Sequence, residues 1–223
     1  QRQLFLDDHG IEKLKGLQRT LHQPRKLGAV IRSSDPKDTL QIRTAPVWDP
    51  QKELYKLWVL GSEKQFWQSP DGLNWHPGPK LNLPVRMAVY DPHDPDPARR
   101  FKAALLNQGF AVSPDGITWT RLDTPAIQSF DEGNFSYDPE HRLFIHTVKR
   151  NGPYGRSVAI ATSRDFANWK DYGVVFHADE LDQKIGRRRI AERRANPTLK
   201  QTEYDTPEHY SVQIYNMGVF HYE

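Results

Sequence analysis

A short phrase built around serine, aspartate and tryptophan occurs three times in this chain and constrains its fold more than any other feature. The copies span residues 69–75, 113–119 and 163–169, so the phrase recurs at intervals of 44 and 50 residues. In the first two copies Ser-Pro-Asp-Gly supplies turn chemistry, because proline presets φ and glycine accepts a positive φ at little cost. A turn and a tryptophan in every unit of this length are typical of the blades of a β-propeller. The alternative is three unrelated hairpins that use the same common turn residues.

An Asp-Pro turn repeats in phase with the first phrase and argues against unrelated hairpins. The turns are Asp49-Pro50, Asp91-Pro92 and Asp138-Pro139, each followed by a segment rich in strand-forming residues. Each unit therefore reads as four strands, which is one propeller blade. We predict an all-β fold, a β-propeller of four-stranded blades of the five-bladed type. The predicted repeats cover about residues 39–82, 83–126 and 127–178.

The 223 residues are consistent with a single propeller domain over residues 1–223. An N-terminal segment, 1–38, stands apart from the repeats, and we expect its Leu4–Leu6 stretch to form a strand that closes the ring. A basic insertion at 179–207 precedes residues 208–223, which resemble the first strand of a fourth blade. The sequence thus covers about three blades plus the start of a fourth, and we expect the propeller to be incomplete at its C-terminus.

Charge and composition narrow the function classes. The net charge is +3, and much of the positive charge lies between Lys184 and Arg194. This cluster is either a basic patch for a polyanion or a solvated helix in a loop insertion; we favour the helix and predict no nucleic-acid partner, because no nucleic-acid motif accompanies it. No apolar run is long enough to predict a membrane span, and the chain has no cysteine for disulfides or thiolate metal sites. The compartment is not determined; a secreted or periplasmic location is favoured, and a cytoplasmic one is compatible.

Three stretches carry a resemblance to a known family. They are Leu4–Asp8, Asp131–Phe135 with the Asp-Pro turn that follows it, and Ala161–Trp169. They are similar to segments of bacterial, often planctomycete, proteins that resemble the N-terminal domain of family 32 glycoside hydrolases. That group belongs to the five-bladed propeller glycosidases, which include family 43, so the resemblance implies a carbohydrate-active propeller. The sequence has no Asn-Asp-Pro-Asn-Gly-like motif near its start and no Glu-Cys pair, so the catalytic pair of family 32 does not carry over.

Polar and charged residues recur at the start of each predicted inner strand, where a propeller has its central mouth. Equivalent points of a ring converge on its axis, so we expect these side chains to meet at the mouth. Pro46 is the additional residue of the first inner strand, as expected of a bulge. The candidate substrate-binding residues are Arg43, Arg86, Asn134, Tyr215 and Asn216.

Asp131 and Glu132 are the candidate catalytic carboxylates. Glycoside hydrolysis needs one acid that protonates the leaving oxygen and a second carboxylate that attacks the sugar or activates water. Adjacent residues of a strand point to opposite faces, so only one of the two is expected to face the mouth, and its partner must come from elsewhere. The alternative is that residues 131–134 form an ordinary polar loop. The candidates for the partner carboxylate are Asp7, Asp8, Asp205 and Glu208.

Arg43 and Arg86 would make the mouth electropositive and suited to a carboxylated or sulfated sugar, unless they only bridge neighbouring blades. We therefore predict a carbohydrate-active, glycoside hydrolase-like protein that acts on an oligo- or polysaccharide, with an anionic one as an option, through carboxylates at the mouth. The alternative is a non-catalytic propeller that binds a glycan or a protein. The histidines lack ligand spacing, so we predict neither a metal nor a cofactor. The sequence makes no prediction of oligomeric state.

Overall fold

The computed structural model describes residues 10–201, 203 and 206–219. Within this part of the chain, strands form three antiparallel sheets, and a single α-helix follows them. The prediction of an all-β fold is confirmed. The strand predicted at Leu4–Leu6 lies outside the described residues.

The first sheet has a broken inner edge. Its strands are β1 (Gln41–Ile42), β2 (Val47–Asp49), β3 (Leu54–Leu60), β4 (Phe66–Ser69) and β5 (His76–Pro77). Both β1 and β2 pair with β3, and the four residues 43–46 lie between the pairs Ile42–Val59 and Val47–Lys56. Only two residues of β3 stand opposite these four, so the break holds two additional residues where we predicted one, at Pro46. Proline has no N–H to offer the ladder, which fits its place in the break.

The second and third sheets are four-stranded meanders in which each strand pairs with the next along the chain. The strands of the second sheet are β6 (Ala88–Tyr90), β7 (Phe101–Leu105), β8 (Gly109–Ser113) and β9 (Thr120–Arg121). The strands of the third sheet are β10 (Gly133–Asp138), β11 (Leu143–Gly152), β12 (Gly155–Ser163) and β13 (Lys170–Phe176). Each sheet is therefore built from one contiguous stretch of sequence.

The repeated Ser-Asp phrase forms the same turn between the last two strands of every sheet. In the first copy the Ser69 hydroxyl accepts the N–H of Gly72 at 2.9 Å and donates to the Asp71 carboxylate at 2.9 Å. The carboxylate in turn accepts the N–H groups of Leu73 and Asn74. The three serines are buried, so the serine and aspartate of each copy form an internal hydrogen-bonded turn with a structural role.

The third copy of the turn carries phenylalanine where the first two carry glycine. Gly72 and Gly116 have φ of 73° and 72°, and Phe166 adopts φ 62° at the equivalent position. A bulky residue in this left-handed region is disfavoured by about 1–2 kcal/mol. The Phe166 ring is fully buried against Phe110 and Phe144, at centroid distances of 5.3 and 5.0 Å, and this packing offsets the backbone strain.

Two apolar cores hold the sheets face to face. The first joins Trp58 of the first sheet to Phe101 and Trp119 of the second. Trp58 Nε1 also donates to the Gly116 carbonyl at 3.1 Å, which ties the second turn to the first sheet. The second core joins Phe110 of the second sheet to aromatic rings of the third.

Two lysines are buried at these contacts, which the sequence analysis did not predict. Lys56 Nζ lies 2.5 Å from the Asp49 carboxylate and donates to the Asp115 carbonyl at 2.6 Å. Lys102 occupies the equivalent place in the second sheet and pairs with Asp94 at 2.6 Å. In both cases an aspartate at or near the Asp-Pro turn compensates the charge, since an unpaired buried charge is strongly unfavourable.

Helix α1 spans Glu180–Ala195 and begins with a capping box between Asp179 and Asp182. It forms the helix that was favoured for the basic cluster. Residues 210–219, which we call the strap, then return along the third sheet. We expected an inner strand from residue 213, but the described strap residues contain no strand, and residues 220–223 lie outside the described residues. Within the described residues, no helix is both long and apolar enough to cross a membrane.

Candidate functional site

The inner strands of the three sheets lie side by side. β2 contacts β6, and β6 contacts β10. Together with Val219 of the strap, these strands line a cavity of about 620 Å³. The starts of the inner strands therefore converge at one end of the cavity, which we call the mouth.

Three of the predicted site residues line one small cleft at the mouth. Arg43 lies in the break between β1 and β2, Arg86 lies just before β6 and Asp131 just before β10, and the three share a cleft of about 80 Å³. Arg86 is exposed and makes no hydrogen bond or ion pair with any described residue. Within the described part of the chain, the cleft therefore presents a guanidinium without a partner to a ligand.

Glu132 is buried behind the cleft and is held by Arg43. Arg43 Nη2 donates to Glu132 Oε1 at 2.9 Å, and Arg43 Nε lies 2.7 Å from Oε2. The hydroxyl of Tyr215 approaches Oε1 at 3.5 Å. The Glu132 carboxylate is thus a fixed negative charge between the break in the first sheet and the strap.

Asp131 and Glu132 lie immediately before β10 and not on it, which corrects the expectation that both stand on the inner strand. Ser129 Oγ donates to the Glu132 carbonyl at 2.5 Å, and Lys149 N–H donates to the same carbonyl at 3.3 Å. This weak continuation of the ladder lets the two side chains diverge: the Asp131 side chain is 67% exposed, whereas that of Glu132 is 11% exposed. Asp131 is therefore the carboxylate that faces the cleft.

Lys149 and Arg156 belong to the site and were missed by the sequence analysis. The buried Lys149 ammonium forms an ion pair with Asp131 and lies 4.1 Å above the Tyr215 ring. The Arg156 guanidinium lies 4.8 Å from the same ring. A lysine inside the strand-like run before residue 150 is the signal that could have pointed to a buried partner for an acid.

Asn134 and Asn216, both predicted, meet at the mouth. Asn134 Nδ2 donates to Asn216 Oδ1 at 2.7 Å and to the Met217 carbonyl at 3.1 Å. Thr147 Oγ1 donates to the same carbonyl at 2.6 Å. These bonds fasten the strap to the third sheet, so the asparagine amides act first as structural clamps.

His146 lies directly beneath the mouth. It is buried, and its Nδ1 must carry the proton because it donates to the Asn134 carbonyl at 2.9 Å. Burial lowers the pKa of His146 to about 4, and the nearby Arg150 contributes in the same direction. The ring is therefore neutral at pH 7 and supports the Asn134 backbone.

The structure does not bring a further predicted carboxylate to the mouth within its described part. Asp7, Asp8 and Asp205 lie outside the described residues. Glu208 is exposed, and hydrogen bonds from its own backbone and from Thr206 lower its pKa. Among the described residues, no group of three or more histidine or acidic side chains is arranged to hold a metal ion.

Comparison with known proteins gives only distant likenesses. No protein-family model matches the chain, and no curated protein matches it. One similar solved structure is a Bombyx mori beta-fructofuranosidase of glycoside hydrolase family 32, a mutant in complex with sucrose, at 14% identity and a TM-score of 0.44. Another is a glycoside hydrolase, so far assigned only provisionally, from Parabacteroides distasonis at 15% identity and a TM-score of 0.25. The matches cover 66% and 70% of this chain but only 36% and 42% of those chains.

Proposed function

We propose that this chain is part of a glycoside hydrolase-like, carbohydrate-active β-propeller of the five-bladed type, which holds an anionic oligo- or polysaccharide at its mouth. Three contiguous antiparallel sheets with neighbouring inner strands support the assignment of the sheets as successive blades. The family resemblance of the Asp131–Phe135 and Ala161–Trp169 stretches supports the same class.

The observation that carries the proposal is the convergence of Arg43, Arg86 and Asp131 on one cleft. Arginine presents a planar fork that matches a carboxylate or a sulfate, and Arg86 has no competing partner among the described residues. Tyr215, 49% exposed beside the cleft, offers a ring face on which a sugar can stack. Two free or partly exposed recognition groups thus adjoin one exposed carboxylate.

If the protein is a hydrolase, Asp131 reaches the substrate, and Glu132 supplies a fixed negative charge near the positive charge that develops on the sugar. Arg43, in the break of the first sheet, holds the Glu132 carboxylate in place. Asp131 would then act directly on the glycosidic bond, and Arg86 would orient an acidic group of the sugar.

A second function, glycan binding without catalysis, is favoured by one specific observation. Both carboxylates are engaged in ion pairs, Glu132 with Arg43 and Asp131 with Lys149. A hydrolase also needs a proton donor for the leaving oxygen. A site whose acids are all engaged by cations is better suited to holding a ligand.

The test is thermal unfolding and product analysis with neutral, uronate-containing and sulfated oligosaccharides. We expect only the anionic sugars to raise the melting temperature, because they alone bind the folded cleft. Arg86→Gln should weaken that binding about tenfold or more, since a hydrogen bond to a charged group is lost, whereas Arg25→Gln removes an exposed charge in the N-terminal segment and should change nothing.

The same experiment separates the two functions. New reducing ends that disappear in Asp131→Asn while binding persists would establish hydrolysis. Binding without products would support glycan recognition without catalysis. If no sugar shifts the melting temperature and Arg86→Gln has no effect, both proposals are wrong.

A further inference from the structure

A groove of about 480 Å³ runs between helix α1 and the strap, away from the mouth. Its walls combine two arginines, one aromatic ring and aliphatic side chains. The lining residues used below are Arg189, Arg193, Tyr210, Ile185 and Leu199. An acidic sugar is bound by a cation that pairs with its acidic group and by an aromatic ring that packs against the sugar ring, and this groove offers both.

The helix is far more basic than the rest of the chain, with six cationic and three acidic residues. On its outward side, Lys184 and Arg188 are paired with acids one turn away, at 3.1 and 3.6 Å. On the groove side, Arg189 makes no hydrogen bond or ion pair within the described part of the chain. Arg193 uses one nitrogen to donate to the Lys200 carbonyl at 2.8 Å and keeps its other donors.

Among the described residues, one acid lines the groove, and it takes part in the helix cap. Asp182 lines the groove, but its carboxylate accepts the N–H of Asp179 at 2.9 Å in the capping box. Within the described residues, no acid forms an ion pair with the Arg189 guanidinium. It is available to an anionic ligand.

Helix α1 buries little of its surface in an apolar core. Only Gln183 and Gly186 of the helix are buried. A side chain at Gly186 would come within 2.4 Å of Val212 and 3.2 Å of the Tyr210 ring. The glycine thus lets the strap approach closely and sets the Tyr210 ring beside the groove.

The strap connects the groove to the mouth. Val212 exchanges hydrogen bonds with Gln183 of the helix, both at 2.9 Å. Next along the strap, Gln213 accepts from Arg156 Nε at 2.7 Å, and Arg156 lies over Tyr215 at the mouth. Cationic groups thus follow the strap from Arg189 to the cleft.

We propose that the groove is a second saccharide subsite, which takes an acidic sugar residue of a polyanionic polysaccharide whose other part occupies the mouth. The proposal rests on the proposed function of the mouth and extends it from a single cleft to a chain-length-selective site. Arg189 would bind the carboxylate or sulfate, and Tyr210 would pack against the sugar ring. Helix α1 is then a recognition element.

The test compares binding of a dimer and a dodecamer of galacturonate by calorimetry, with a neutral dodecamer as reference. We expect the galacturonate dodecamer to bind more tightly than the dimer. Arg189→Gln should weaken dodecamer binding about three- to tenfold, as for loss of a partly exposed ion pair, and leave dimer binding unchanged. Arg188→Gln is the matched control, because it removes the same charge from the next residue, which points outward.

Each other outcome is decisive. If Arg188→Gln and Arg189→Gln weaken the dodecamer equally, the effect is diffuse charge and the subsite is wrong, while dimer binding that needs Arg86 would still support the mouth. A single-stranded 12-nucleotide DNA that binds as tightly as the dodecamer would identify a general polyanion surface and overturn the saccharide assignment. Absence of binding by both galacturonates overturns the mouth and the groove together.

Discussion

At the scale of single residues, the buried lysine–aspartate pairs carry the largest energies. Lys56 and Asp49 have almost no solvent exposure and lie 2.5 Å apart. Removing one partner of such a pair costs about 3–5 kcal/mol because the other charge is left uncompensated. Replacing both by apolar residues of similar volume is far milder.

We therefore expect Lys56→Met to lower the free energy of unfolding by about 3–5 kcal/mol in urea denaturation. The double variant Lys56→Met/Asp49→Asn should recover most of that loss, because no buried charge is left unpaired and the amide oxygen can still accept the N–H groups of Gln51 and Lys52. Lys52→Met, at an exposed position of the same turn, should stay within about 0.5 kcal/mol of the wild type. Equal losses in the single and double variants would contradict a charge-driven effect.

His146 makes stability depend on pH. An unfolded histidine binds a proton near pH 6.5, whereas folded His146 stays neutral until about pH 4. The unfolded state therefore holds more protons in this window, and stability is lost as the pH falls from 6.5 to 4. The free energy of unfolding of the wild type should fall by up to about 1.4 kcal/mol per pH unit more steeply than that of His146→Asn.

The measurement is urea denaturation at several pH values through this window. Asparagine keeps a donor for the Asn134 carbonyl but does not titrate. The variant therefore separates the effect of protonation on stability from the effect of losing the hydrogen bond. Parallel slopes for the two proteins would mean that His146 is not the titrating group.

At the scale of structural elements, the Ser-Asp turns decide how sheets meet. Gly72 and Gly116 have the same left-handed backbone but different surroundings. A Cβ at Gly72 would lie 3.9 Å from Tyr55, an ordinary contact, whereas a Cβ at Gly116 would lie 3.0 Å from Trp58 and 3.3 Å from Phe101. The second turn is thus packed into the first sheet, and the first turn is not similarly crowded.

Gly72→Ala should lower the free energy of unfolding by about 1–2 kcal/mol, because alanine is disfavoured in the left-handed backbone conformation of this position. Gly116→Ala should cost a further 1–3 kcal/mol or so, because its methyl group overpacks the core between the sheets. Chemical denaturation of the two variants measures the difference. Identical losses would show that the turn of the second sheet does not press on the first.

The repeats predicted these elements well and the site only in part. The Asp-Pro and Ser-Asp phrases are local turn chemistry, so Asp49 and Ser69 could be placed at the ends of strands from sequence alone. The Arg43–Glu132 pair joins residues 89 positions apart, and only the arrangement of sheets brings them together. Lys149 was missed because a lysine in a strand usually faces solvent. Residues 213–219, where we expected the beginning of an inner strand, form none, because local strand preference does not by itself supply a paired strand.

At the scale of the whole molecule, the two outer faces of the stack differ. The outer face of the first sheet, with Leu57 and Trp67, is covered by Ile31 and Leu40. On the third sheet, a depression of about 590 Å³ lined by residues such as Ile160 and Val175 lies open. Val175 is 47% exposed. The lining also contains Arg164 and Lys170, and the exposed apolar side chains between them favour association.

We expect concentration-dependent self-association through this face, visible in sedimentation velocity. Val175→Lys should weaken it by placing a charge in the contact, without lowering stability, since the side chain is already exposed. Val30→Lys, at an exposed valine in the N-terminal segment, is the control. A monomer at all concentrations would contradict the expectation, as would equal behaviour of the two variants.

The contiguity of the sheets has a consequence for the order of synthesis. Each sheet closes its own hydrogen bonds within one stretch of chain, so the first can form while the second is still emerging from the ribosome. The mouth is different, because Glu132, the ion-pair partner of Arg43, is synthesised almost ninety residues after Arg43. A nascent chain that stalls before residue 131 would carry two folded sheets and an Arg43 without its carboxylate partner, so the cleft forms later than the first two sheets.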